Sequence, residues 1–122
     1  MGVLLVGVGG FFGAIARYSI FLLFGILNPK MLFPIPTLTV NVVGCFLLGW
    51  ITSSLPNYST THPIVLALVI GFLGAFTTFS AFGFETFELF QDQKYLIASI
   101  NIAANNLICL GAVYSGMKIG SF

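Results

Sequence analysis

From Met31 to Phe84 the chain runs for 54 residues without a single Asp, Glu, Lys or Arg. A soluble fold needs polar groups to cover its outside, and a bilayer-spanning helix needs about 20 apolar residues. The run therefore holds more than one membrane span. Its middle, Ser53-Ser54-Leu55-Pro56-Asn57-Tyr58-Ser59-Thr60-Thr61-His62-Pro63, combines two prolines with turn-forming polar residues and reads as a connection. One span lies at about 35–53, and another begins near Pro63 and reaches residue 90.

Two further spans flank the run. Residues 3–27 carry Arg17 as their only charge, and Asn28-Pro29-Lys30 followed by Pro34 and Pro36 marks the exit and the next helix start, where a missing N–H is tolerated. Gln91-Asp92-Gln93-Lys94 forms the last connection, before a span at 95–117. Composition agrees: 6% of the 122 residues are charged, against about 25% in an ordinary soluble domain. The formal net charge of +1 offers no footprint for nucleic acid. The predicted fold is an all-α, multi-pass protein of the cell membrane, with 1–122 as a single four-helix transmembrane domain and no internal repeat. The first span lacks a basic n-region, so it is expected to be retained rather than cleaved as a signal peptide.

Lys118 falls on one side of the predicted bundle, and Lys30 and Lys94 fall on the other. So small a difference barely biases orientation and permits insertion both ways.

Few polar groups remain inside the spans. Gly9, Gly10, Gly13 and Ala14 form small-xxx-small pairs suited to close helix approach. Arg17, costing about 2.5 to 3.5 kcal/mol at mid-bilayer, either snorkels to the nearer interface or lines an aqueous vestibule that attracts anions. In the second span Thr37, Asn41 and Cys45 share one helical face, with Gly44 beside them, and in the fourth Asn101, Asn105 and Cys109 repeat that spacing, with Asn106 adjacent. Asn41 suits either interhelical packing or a polar pathway. The two stripes together suggest a track that hydrogen-bonds a permeating species without a fixed charge. Cys45 and Cys109 read as small packing residues, since a disulfide framework is improbable at mid-span. In the third span, glycines and the Thr77-Thr78 pair lower helix stability at mid-depth, which predicts a break whose carbonyls can hold a cation. Phe79 and Phe82 follow on one side, as packing or lipid-facing rings in the ordinary case.

Three patterns in order carry a resemblance: Gly9-Gly10-x-x-Gly13-Ala14-x-x-Arg17-Tyr18, Thr37-x-x-x-Asn41-x-x-Gly44, and Gly71-x-x-Gly74-x-x-Thr77-Thr78-Phe79-Ser80-x-Phe82. With the length and four-span layout, the chain resembles the CrcB/Fluc family of fluoride ion channels. The resemblance implies an antiparallel, dual-topology homodimer, or a heterodimer with a homologous subunit. It also implies two fluoride pores and a structural Na+ at the dimer centre, held by the backbone carbonyls of Gly74 and Thr77. The implied fluoride pathway runs by Asn41, Phe79, Phe82, Thr78, Ser80, Asn101 and Asn105, with Arg17 in the vestibule. Many members have Tyr and then Ser where this chain has Asn101 and Asn105. Passive fluoride export, with fluoride resistance as its result, is the expected activity. For an anion the useful part of a Phe ring is its positive edge.

Other classes fit less well. A small exporter of lipophilic cations needs an anionic side chain at depth, whereas Glu85, Glu88 and Asp92 cluster toward the end of the third span and its connection. A purely packing subunit leaves the Asn stripes unexplained. An enzyme lacks an evident acid/base or metal constellation: the single His, His62, sits in the second connection and reads as a solvated residue.

Overall fold

A computed structural model describes residues 1–55 and 59–122; Pro56, Asn57 and Tyr58 of the predicted second connection lie outside the described residues. Among the described residues there are four helical spans, each long and apolar enough to cross a bilayer. They are α1 (Gly2–Leu27), α2 (Ile35–Ser54), a bent third span and α5 (Tyr95–Gly120). The third span joins a π-helical segment (Val65–Leu73), one α-turn (α3, Gly74–Phe76) and α4 (Phe79–Gln91). Span limits differ from the predicted ones by three residues at most, the π segment included with its entry turn. The break falls at Thr77 and Thr78, inside the predicted Gly/Thr stretch.

Apolar side chains cover most of α1 on all sides, and only Gly9 and Gly13 are buried along it. A helix of that kind uses lipid as solvent and buries a narrow glycine seam. That seam meets the π segment. A Cβ on Gly9 or Gly13 would collide with the carbonyls of Ala67 and Phe72, and one on Gly71 would collide in turn with the Val6 carbonyl. The two segments run parallel and touch backbone to backbone. α2 and α5 form a second parallel pair on the same plan: Gly49 abuts the Val113 carbonyl and Gly116 abuts the Phe46 carbonyl. The small residues at these places are what allows each pair to close.

Short connections keep the two pairs together. Pro36 occupies the first turn of α2, where its lack of an N–H costs nothing. α4 ends in a Schellman motif, with Gln93 N–H donating to the Phe90 carbonyl at 3.0 Å and Lys94 N–H to the Leu89 carbonyl at 2.8 Å. Gln93 adopts a left-handed φ of 59° to make it, and the Lys94–Asp92 ion pair at 2.8 Å lies beside it on the surface. His62 is exposed, as expected, and its Nδ1 accepts from the Ile64 N–H at 3.3 Å at the entry to the third span.

Candidate functional site

The break is made by two adjacent threonines with opposite duties. Thr77 closes the helix before it: its N–H and its Oγ1 both donate to the Leu73 carbonyl, at 3.0 and 2.9 Å. Thr78 is extended, with φ −151° and ψ 115°, and its Oγ1 accepts from the Ala81 N–H at 3.1 Å as the N-cap of α4. Ser80 Oγ lies 3.2 Å from the Thr78 hydroxyl.

An extended residue at membrane depth leaves backbone groups that must find partners. Asn41 supplies them. Its Oδ1 accepts from the Thr78 N–H at 2.8 Å, and its Nδ2 donates to the Thr78 carbonyl at 3.2 Å, so one amide satisfies both sides of one residue. The Thr78 N–H would otherwise serve the Gly74 carbonyl, four residues back in a continuous helix. From Asn41 a relay of donors runs into the bundle. Asn41 Nδ2 donates to Asn105 Oδ1 at 3.1 Å, Asn105 Nδ2 to Asn101 Oδ1 at 3.0 Å, Asn101 Nδ2 to Thr86 Oγ1 at 2.9 Å, and Thr86 Oγ1 to the Phe82 carbonyl at 2.7 Å. Every link donates in the same direction, the arrangement in which neighbouring hydrogen bonds reinforce one another.

Two open concavities meet at Thr78. The first, about 380 Å³, lies between α2, the break and α5, and brings together Asn41, Gly74, Thr77, Phe79, Phe82 and Asn105. The rings of Phe79 and Phe82 stand 5.4 Å apart at 58°. Phe82 is buried, whereas Phe79 projects from the protomer with 82% of its surface exposed. The second, about 590 Å³, lies between α1 and α4 and contains Arg17, Tyr18 and Ser80. Arg17 Nη1 donates to the Thr77 carbonyl at 3.3 Å, which ties the guanidinium to the break instead of leaving it to the interface.

Not every predicted residue joins the openings. Asn105 lines the first concavity, but Asn101 is fully buried behind it, its amide engaged by Asn105 and Thr86. Sequence reasoning also missed two groups. By sequence Glu85 belongs with the acidic residues toward the end of the third span, yet its Oε1 accepts from Thr37 Oγ1 at 2.6 Å and its Oε2 is buried with no partner among the described residues. Thr86 ends the relay. The signal was present in the spacing, since Glu85 is one helical turn beyond Phe82 and Thr37 one turn before Asn41.

Among the described residues no three His, Cys, Asp or Glu converge on a metal position. A cation at the break would therefore meet neutral oxygens, backbone carbonyls among them, and no carboxylate, thiolate or imidazole cluster. Gly74 is on the exposed face, where an added Cβ would meet nothing closer than the Val69 carbonyl at 3.9 Å, and Thr77 has a carbonyl lone pair beyond the one taken by Arg17. Two such oxygens fit part of the coordination of a hard monovalent cation, and a second copy of the chain would supply the rest.

Comparison with known proteins agrees with this architecture. Residues 4–117 match the family model described as CrcB-like protein, Camphor Resistance (CrcB). The fluoride-specific ion channel FluC of Methanococcus maripaludis is 42% identical over 98% of this chain and 96% of its own length. The proteins of the same name from Dehalococcoides mccartyi and Geobacter sulfurreducens are 43% and 39% identical, over 98% and 94% of this chain and 92% and 93% of theirs. A family model spanning nearly the whole chain, relatives at this identity and four membrane-spanning helices lead to one conclusion: the chain is a multi-pass membrane protein belonging to the CrcB family.

Proposed function

We propose that the protein is a fluoride-selective channel that lets fluoride leave the cell passively, and that it works as an antiparallel dimer with two pores. The observation that carries this reading is the Asn41 clamp on Thr78. It sets neutral donors and two Phe rings between a concavity containing Arg17 and a groove open on the face of the protomer. The name carried by the relatives supplies the identity of the ion.

Fluoride is small and strongly hydrated, so a pore must replace its water at close range and still release it. Arg17 raises the local potential at the entrance without reaching the groove. The Thr78–Ser80 hydroxyl pair then offers a donor, followed by the edges of Phe79 and Phe82, along a wall that the Asn41 and Asn105 amides hold in place with their own N–H groups engaged inside the protein. None of these groups carries a charge that would trap the ion. No bond is made or broken in transit, and no acid/base machinery is required.

The carbonyls of Gly74 and Thr77 would hold a structural Na+ on the two-fold axis of such a dimer, with the second copy doubling the ligand set. When bound, that ion supplies a fixed positive charge between the two protomers. Residues of this chain do the rest: Arg17 orients the Thr77 carbonyl, and Asn41 keeps the break open by occupying the Thr78 N–H.

Liposomes holding the purified protein, loaded with fluoride and followed with a fluoride-selective electrode, test the proposal. Fluoride should leave far faster than from empty liposomes, and chloride should not. Equal release of the two anions, or no release above the empty vesicles, would overturn it.

A further inference from the structure

α2 and α5 run parallel in a fixed register. Asn41 and Asn105, 64 residues apart in sequence, hydrogen-bond across the contact, and Gly49 with Val113 keeps the same offset farther along. Cys45 and Cys109 share that offset, one helical turn beyond the Asn pair. Both are free thiols and half-buried, they neighbour one another, and both line the 380 Å³ groove.

From this juxtaposition we propose that Cys45 and Cys109 form a two-thiol site for a soft divalent cation of linear coordination, with Hg2+ as its representative. Thiolates select soft metals over hard ones. Zinc would ask for four ligands, and no third His, Cys, Asp or Glu joins the pair among the described residues. Charge favours the same choice. Two S–H bonds break, two metal–sulfur bonds form, and two protons leave through the open groove. The product is neutral, so no net charge is left at membrane depth, where an uncompensated one is costly. A monovalent soft cation on the same two thiolates would leave one negative charge there. No electron transfer is involved.

The protein purified in detergent is incubated with mercuric chloride alone and washed with an excess of a small monothiol, and the mercury kept per chain is measured by elemental analysis. One metal ion per chain should stay on the unmodified protein. C45S and C109S, each with one thiol, should release theirs about a hundredfold faster, because the second thiol acts as a tethered ligand at high effective concentration. The C45S/C109S double variant should keep none. Equal release from the unmodified protein and either single variant would overturn the site. C45A and C109A, accepted only if they elute as the unmodified protein does, repeat the comparison where a serine perturbs the groove. Fluoride flux plays no part in the readout, so the result stands apart from the channel proposal.

Discussion

Asn41 does at the residue scale what a continuous helix would otherwise do for Thr78. A side-chain amide replaces two backbone partners, and Thr78 is nearly fully buried, so water cannot take over if the amide is lost. Removing one partner of a buried group costs about 1–3 kcal/mol. N41A should therefore lower the unfolding midpoint of the detergent-solubilised protein, and it should reduce fluoride flux at least about tenfold, since 1.4 kcal/mol on a barrier already has that effect. N105A should cost less, because Asn105 touches the break only through Asn41 at 3.1 Å. The double variant N41A/N105A should lose less than the sum of the single losses, as expected of residues sharing one bond. Thermal unfolding and electrode flux on the three proteins give both comparisons, and strict additivity would contradict the relay.

Helix elements in this protein owe their placement to small residues more than to apolar ones. Apolar side chains are abundant on every span and face lipid as readily as protein, so hydrophobic pattern marks where a helix is without saying which side it buries. That is why the spans, and the break at Thr77-Thr78, were legible in the sequence, while the parallel pairing of α2 with α5 was not. The Gly9/Gly13 seam stood out through its small-xxx-small spacing. Gly49, and Gly116 although it shares the i, i+4 spacing with Gly120, acquire meaning only when each is set against the other helix's carbonyls. The same limit applies to the site. Asn41 stands out as the strongest polar group of the second span, and Phe79 and Phe82 take a site role only through the family resemblance, whereas the engagement of Glu85 by Thr37 and the full burial of Asn101 depend on how α4 leans on α2 and α5. The π winding of Val65–Leu73 had no signal in the residues. Glycine substitutions separate the two kinds of position. G116A drives a methyl into the Phe46 carbonyl and should destabilise the fold by about 1–3 kcal/mol, the usual range for overpacking. G111A, in the same helix but with nothing within 4 Å of its added Cβ, should be tolerated. Paired melting curves decide this, and equal losses would remove the close helix approach as the reason for Gly116.

For the whole molecule, the open groove is the feature that asks for a second copy. Phe79 and Asn106 are exposed beside Gly74 at membrane depth, and an Asn facing hydrocarbon keeps polar capacity that only its own Ile102 carbonyl, at 2.7 Å, partly satisfies. In the proposed antiparallel dimer a partner would cover that face, and such a dimer would require chains inserted in both orientations. The near balance of cations makes this possible: Lys30 and Lys94 lie in the first and last connections, and Lys118 lies near the end of α5 on the other side. Because the positive-inside bias counts Lys and Arg in short connections, modest changes at exposed positions should break the balance. N28K/Q91K adds two charges to the side of Lys30 and Lys94, whereas T60K/T61K with K30Q tips the count the other way. Either set expressed alone should insert in one orientation, leave no antiparallel pair and reduce fluoride release to that of empty liposomes. Co-expression of the two sets should restore release, because each then supplies the orientation the other lacks. A parallel dimer or a monomeric pore behaves in the opposite way: each set would conduct by itself, and mixing would add nothing.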